Sequence, residues 1–250
     1  MLNIMLCGCG GRMGAAVIAA AKEAGDYIVA GVDINPAADI PFPIFASPDE
    51  FRGKADVIID FSHHSALPGL LAYAARTGTP LVISTTGHTE EELAAMKAAS
   101  AMVPSFFSRN MSLGINLLIS LCRRAAATLG ADFDIEIIEK HHNKKLDAPS
   151  GTALMIADAL ADDGNEHPYV YDRHAERRQR ARGEIGLHAV RGGTIVGEHE
   201  VMFCGKDEVI TLSHSAASRE VFATGALRAA RFMAGKPAGM YNMDDVVNSL

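Results

Sequence analysis

Short apolar runs alternate with helical patterns through the first hundred or so residues. Leu2 to Cys7 fits a buried strand, and small apolar side chains from Ala15 to Ala21 repeat behind it as a helix requires. The run Tyr27 to Val32 comes next. Asp56 to Asp60 then precedes a helical pattern from Ser65 to Ala75, Leu81 to Ile83 precedes one from Glu90 to Ala99, and Met102-Val103 stands before Pro104. Such alternation predicts a parallel sheet with helices on both faces. Polar or aromatic residues gather just past each strand: Asp60 to His64, Ser84 to His88, and Phe106 to Ser112. In an open α/β sheet the ligand crevice lies on that edge.

After a helical stretch from Leu113 to Leu129 the pattern changes. Asp132 to Glu139, Glu184 to Val190, Ile195 to Phe203 and Val209 to Ser213 read as strands, with one helix starting at Ser150 and a last one from Ser218 to Met233. The expected organisation is a dinucleotide-binding domain over 1–110, to which 218–250 returns, and a smaller α+β substrate and oligomerisation domain over 111–217.

The glycine turn makes the first domain specific. The first strand runs into Gly8, Gly11 and Gly14, spaced G-x-x-G-x-x-G, with Arg12 and Met13 between the last two and the helix behind. Strand, glycine turn and helix form the Rossmann-type unit, in which glycines let the backbone approach a pyrophosphate at the helix N-terminus. Asp33 ends the next apolar run, where a ribose-binding carboxylate belongs. It repels a 2′-phosphate, and Ile34 offers no cation to offset that, so NADH is the expected cofactor; Arg12 leaves room for NADPH.

Residues Glu139 to Ala153, Glu-Lys-His-His-Asn-Lys-Lys-Leu-Asp-Ala-Pro-Ser-Gly-Thr-Ala, concentrate proton donors, cations and a helix start in one run. Ser150 is a good N-cap, and the amides of Gly151 and Thr152 would face a carboxylate or phosphate at the positive end of the helix. The run reads as a site for a small anion that must be protonated. No histidine pair has i, i+4 metal spacing, and no metal is assigned. His63, His64 and His88 read as solvated loop residues.

Composition narrows the classes. The chain has 250 residues and a formal net charge of −7, which argues against a generic nucleic-acid binder. It has no charge-free apolar run of membrane-spanning length and no basic start followed by a secretory core, so a cytoplasmic enzyme is expected. The four cysteines, Cys7, Cys9, Cys122 and Cys204, lack C-x-x-C spacing and read as buried thiols. Arg173, Arg177, Arg178, Arg180 and Arg182 form a polar stretch, followed by Arg191 near Gly192-Gly193, that reads as a solvated loop, with a cationic wall around an anionic ligand or a subunit contact as the alternatives.

Taken together, Gly-x-x-Gly-Arg-Met-Gly, Asp60-Phe61-Ser62, Ser84-Thr85-Thr86-Gly87, Asn110 to Asn116, His141 to Ala153, Val196 to His199 and Ser213 to Arg219 resemble the 4-hydroxy-tetrahydrodipicolinate reductases, formerly dihydrodipicolinate reductases. The resemblance spans nearly the whole chain. It implies NAD(P)H-dependent reduction of a cyclic dicarboxylate in diaminopimelate and lysine biosynthesis, by a homotetramer. It implies His141 as proton donor or acceptor and Lys145 as proton donor. His142, Ser150, Gly151 and Thr152 would bind the substrate, with Arg219 a lesser candidate. Gly8, Gly11, Arg12, Met13, Asp33, Ser84, Thr85, Thr86, Arg109, Asn110, Met111 and Ser112 would hold the cofactor. Ser84 stands where the family usually has glycine, and Ile34 where an arginine often sits. A semialdehyde dehydrogenase would share the first domain but needs a cysteine nucleophile on a loop, whereas Cys122 sits in a helical pattern. A nucleotide-sensing protein would have no use for the proton donors.

Overall fold

The computed structural model describes residues 1–35, 40–161, 167–174 and 177–249. The chain divides into two compact units, Met1–Leu113 with Arg219–Leu250, and Gly114–Ser218.

In the first unit β1 (Asn3–Cys7), α1 (Arg12–Ala24), β2 (Tyr27–Val32), β3 (Ile44–Phe45), β4 (Val57–Asp60), α2 (Leu67–Thr77), β5 (Leu81–Ile83), α3 (Glu90–Ala99) and β6 (Pro104–Phe107) follow in order. The second unit holds α4 (Leu113–Leu129, starting on the boundary), β7 (Asp134–His141), α5 (Gly151–Ala161), β8 (Tyr169–Val170), β9 (Ile185–Arg191), β10 (Gly197–Cys204) and β11 (Val209–Ala216). Three elements, α6 (Glu220–Met233), β12 (Gly239–Tyr241) and α7 (Met243–Asn248), complete the first unit.

The first sheet has seven strands in the order β12-β6-β5-β4-β1-β2-β3, each pairing parallel. Because successive side chains point to opposite faces, each strand feeds two cores. Ile4, Leu6, Ile59, Val82 and Phe106 meet Val17 and Ala21 of α1 and Ala226, Leu227 and Ala230 of α6. Met5, Cys7, Ile58, Leu81 and Ile83 meet Leu67 and Leu70 of α2 and Met96 of α3. Burying each such large side chain contributes about 1.5–3 kcal/mol, which the ordering of the chain largely offsets.

One strand is displaced from its expected place. β6 starts at Pro104 rather than at Met102, so Phe106 and Phe107 belong to it and not to the loop beyond. Proline is tolerated as the first residue of a strand, where its missing N–H is not needed, and Phe106 is fully buried.

The second sheet is mixed, in the order β11-β10-β7-β9-β8. β10 runs antiparallel to both β7 and β11, while β9 is parallel to β7 and β8. Ile137, Ile185, Leu187, Val201 and Phe203 form one apolar face, covered by Leu118 and Cys122 of α4 and by Ala153, Ile156 and Leu160 of α5. No helix among the described residues is long and apolar enough to cross a membrane. All four cysteines are free; Cys7, Cys9 and Cys122 are buried, and Cys204 only in part, since it ends a strand.

Candidate active site

The glycine turn is built by close approach. Gly8 has φ 76°, and a Cβ there would lie 2.5 Å from the Phe61 carbonyl oxygen. A Cβ on Gly14 would lie 2.4 Å from the Gly8 oxygen, so backbone packs on backbone and any side chain would force the turn apart. Gly11 is the N-cap of α1; no side chain caps the first amides, and the first turn holds no acidic residue. That leaves a cationic helix end with Arg12 exposed beside it, which is what a pyrophosphate needs.

Asp33 ties this turn to β2. Its Oδ2 accepts from the Gly10 amide at 2.8 Å and its Oδ1 from the Asn35 amide at 2.9 Å, while Ile34 is 81% exposed. At the end of β4, Asp60 is buried and accepts from the Ser62 amide and hydroxyl and from the Thr85 hydroxyl at 2.8 Å. Burial pushes its carboxyl above the usual carboxylate range, against the pull of those hydrogen bonds. Ser84 and Thr85 are buried and Thr86 is exposed. Past β6, Asn110 Oδ1 accepts from the Ser112 amide at 2.8 Å and the Asn110 carbonyl accepts from the Ser108 hydroxyl at 2.8 Å, with Met111 buried and Arg109 exposed. The expected cofactor residues thus lie on the C-terminal edge of the first sheet.

The three histidines near this edge are not all solvated. His64 Nδ1 meets Glu92 Oε1 at 2.9 Å, and the His88 imidazole, 1% exposed, lies edge-on to Phe107 with its Nδ1 3.3 Å from Glu92 Oε2. Glu92 draws them in because Thr89 and Glu92 form a capping box that fixes the carboxylate at the start of α3.

In the second unit the catalytic candidates sit where β7 meets α5. Glu139 and His141 are two apart on β7 and therefore share the face that Ile137 presents to the core. Glu139 is fully buried; its Oε2 accepts from His141 Nδ1 at 2.6 Å and its Oε1 from the Ser150 amide at 2.9 Å. Arg191, opposite His141 on β9, donates to both oxygens at 2.7 and 2.6 Å. Burial opposes the charge on Glu139, but Arg191, His141 and the Ser150 amide together hold its carboxyl below the usual range. Removing one partner from a buried pair of this kind costs about 3–5 kcal/mol.

Burial lowers the His141 pKa, Glu139 resists, and Lys145 and Arg191 add to the lowering. Lys145 Nζ pairs with Asp147 Oδ1 at 2.9 Å, and this partner, helped by the Gly151 amide, depresses the Asp147 pKa. The His142 Nδ1 is buried with no hydrogen-bond partner. Gly151 is exposed and Thr152 half-buried at the start of α5.

Ser150 takes the N-cap place expected of it. It is 1% exposed; its amide goes to Glu139, and its hydroxyl accepts from the Ala153 amide at 3.2 Å and meets His199 Nε2 at 3.1 Å. The hydroxyl caps the helix, while the amide ties the helix start to Glu139. Arg219 belongs to the first unit, and His142, Gly151 and Thr152 to the second.

His199, 4% exposed on β10 opposite Glu139, is depressed to about 4 by burial and then by His141. A folded-state pKa below the ordinary 6.5 means the unfolded chain binds the proton better, so stability is complete above pH 6.5 and lost as pH falls toward 4. The loss attributable to this group is about 3 kcal/mol. Denaturant titrations of the parent and His199→Gln at pH 7.5 and pH 4 should show a smaller drop in the variant; equal drops would remove His199 from the account.

Four arginines of the stretch are held in ion pairs. Arg173 pairs with Glu136 and Glu184, Arg178 with Glu184 at 3.3 Å, Arg180 with Asp134 at 2.8 Å, and Arg182 with Asp132 at 3.1 Å. Carboxylates on β7, just before it and just before β9 answer Arg173, Arg178, Arg180 and Arg182; residues 175 and 176 of the stretch lie outside the described residues. Among the described residues no group of three His, Cys, Asp or Glu is arranged to hold a metal.

The sequence singled out neither Glu139 nor His199 as a site residue, and it grouped Arg191 with the arginine stretch. The available signal was a carboxylate on the apolar face of a strand, two residues before a histidine, where only a paired charge can be buried.

Known proteins resemble the chain throughout. Residues 2–111 match the family described as dihydrodipicolinate reductase, N-terminus, and residues 114–247 match its C-terminus. A 4-hydroxy-tetrahydrodipicolinate reductase of Caldanaerobacter subterraneus is 54% identical over 249 residues, covering 99% of this chain and 98% of that protein. The enzyme of that name from Clostridium tetani is 48% identical, covering 100% and 98%. A solved dihydrodipicolinate reductase from Paenisporosarcina, bound to dipicolinate, shares the fold with a TM-score of 0.83 at 24% identity, covering 98% of this chain and 99% of that one.

Proposed function

The chain belongs to the dihydrodipicolinate reductase family, and from that premise we propose which of its residues carry the reaction. It is an NAD(P)H-dependent oxidoreductase of diaminopimelate and lysine biosynthesis, reducing 4-hydroxy-tetrahydrodipicolinate to tetrahydrodipicolinate. The observation that best supports the assignment of roles is the α5 start, where Gly151 and Thr152 lie next to Ser150, which Glu139 joins to His141.

Bound nicotinamide supplies a hydride. Gly8, Gly11, Arg12 and Met13 would receive its pyrophosphate, Asp33 the adenine ribose, and Ser84 to Thr86 with Arg109 to Ser112 the nicotinamide half; the side-chain-free approach at Gly8 and Gly14 and the uncapped start of α1 fit such a group. Reducing a conjugated C=C–C=N system leaves electron density on carbon and nitrogen that a proton must quench. Lys145 donates that proton, and His141 gives or takes one at the imidazole nitrogen that Glu139 does not hold. His142, Gly151 and Thr152 hold the carboxylates, with Arg219 a lesser contributor. Their cationic and amide donors stabilise the anionic substrate as charge develops.

Asp33 beside exposed Ile34 favours NADH, with some use of NADPH through Arg12. The test is the fall in nicotinamide absorbance on adding enzymatically generated substrate. Turnover should be seen with both nucleotides and kcat/KM should favour NADH. A preference for NADPH overturns the role of Asp33, and no turnover with either overturns the assignment of the site. We further propose a homotetramer in the cytoplasm, which sedimentation of the purified protein would test for the assembly.

A further inference from the structure

We propose that Glu139 is the positioning residue for His141: a buried carboxylate, neutralised by Arg191, that fixes the imidazole in its Nδ1–H form and leaves Nε2 as the only nitrogen that exchanges a proton. The proposal rests on the role given to His141 above and names what prepares it.

The geometry carries the tautomer. A carboxylate only accepts hydrogen bonds, and Glu139 Oε2 lies 2.6 Å from His141 Nδ1, so that nitrogen carries the hydrogen. Nε2 is then bare in the neutral ring. It faces Gly197, where a Cβ would come within 3.1 Å of it, so the missing side chain keeps that nitrogen clear. A free histidine in water prefers the opposite tautomer, and the protein has to impose this one.

Arg191 changes what the carboxylate does. An unpaired buried glutamate beside a histidine would draw a proton onto the ring and hold it there. Here both oxygens of Glu139 already receive Arg191, at 2.7 and 2.6 Å, so the ring is oriented by a pair of no net charge. The remaining groups around it are Lys145 and Asp147 on the loop, His199 on β10, whose ring centre is 5.3 Å away, and, acting on His199 in turn, His214 on β11. Of these Lys145 is the cation, and it discourages protonation. The result is a histidine that takes a proton only transiently, as a turnover group must. The same carboxylate receives the Ser150 amide at 2.9 Å, which places the start of α5 and the ring by one group.

Two measurements test this in the full-length protein. The first is nitrogen NMR of histidine-labelled protein above neutral pH, with His141 assigned by the signal lost in His141→Gln. The expected state is protonated Nδ1 and bare Nε2; protonated Nε2 would overturn the proposal without any variant at Glu139. The second compares pH–rate profiles. Glu139→Gln keeps the shape but no longer dictates which nitrogen is protonated, so kcat should fall roughly 100-fold, with a displaced pH profile and an unchanged KM for NADH. Glu139→Asp, which retains the charge, should recover part of the loss. If His141→Gln is inactive while Glu139→Gln keeps the parent kcat and pH profile, the positioning role fails alone. Parent turnover in His141→Gln removes the role of His141 and this proposal with it.

Discussion

Lys145→Ala is expected to lower kcat by about 100-fold or more, the usual contribution of a positioned general acid, while NADH binding is unchanged. The expectation follows from placement. Lys145 is 21% exposed in its side chain, its amide donates to the His142 carbonyl, and its ammonium is held by Asp147 at 2.9 Å. Substrate carboxylates would compete for that ammonium with Asp147, which is 58% exposed in its side chain and able to withdraw. Lys145→Arg keeps the charge but not the acidity, because a guanidinium does not release its proton near neutral pH. It should therefore restore substrate KM more than kcat. Rapid-mixing measurements of NADH oxidation separate the two, and a kcat in Lys145→Ala near that of the parent would show that another group delivers the proton.

Gly225→Ala should cost about 3 kcal/mol or more in stability, although alanine is the better helix former. Gly225 lies in α6, and a Cβ there would fall 1.7 Å from the Met111 carbonyl oxygen. That oxygen belongs to the backbone of the Arg109 to Ser112 loop, so relief requires moving α6 or displacing the loop proposed to hold nicotinamide. Weaker NADH binding should accompany the loss. Gly69→Ala in α2 is the control, since its Cβ would meet nothing within 4 Å, and it should be neutral or stabilising by about 0.5–1 kcal/mol. Equal melting of both variants and the parent would show that α6 and the loop can part at little cost.

Much of the fold is legible in the chain because its signals are local. The α3 helix follows from Thr89 with Glu92 and the Glu-rich first turn, and α4 from an apolar repeat that runs unbroken from Leu113 to Leu129. The parallel sheet follows from apolar runs buried on both faces. Short edge elements escape the eye: β3 and β8 have two residues each, too few to show a period. The same holds for the polar side of the site. The run from His141 to Thr152 announces itself by composition, but its support comes from β9 and β10. Arg191 reaches Glu139 across 52 positions, and Ser150 meets His199 across 49, so only strand register brings them together. Pro104 begins β6, because a strand's first residue is a place where a missing N–H is tolerated.

The discontinuity of the first unit sets a timetable for synthesis. Ile4, Leu6, Val82 and Phe106 are made early, yet the α6 residues that cover them, Ala223 to Met233, come only after residues 114–218. At roughly 5–20 residues per second, translation of that interval leaves an apolar sheet face without its helix for about 5–20 s. Residues 114–218 are contiguous and emerge within that interval. A chain released early therefore presents a raw sheet edge at β6, where β12 should pair, and a bare apolar face beside it. Both are marks by which chaperones and proteases recognise unfinished protein.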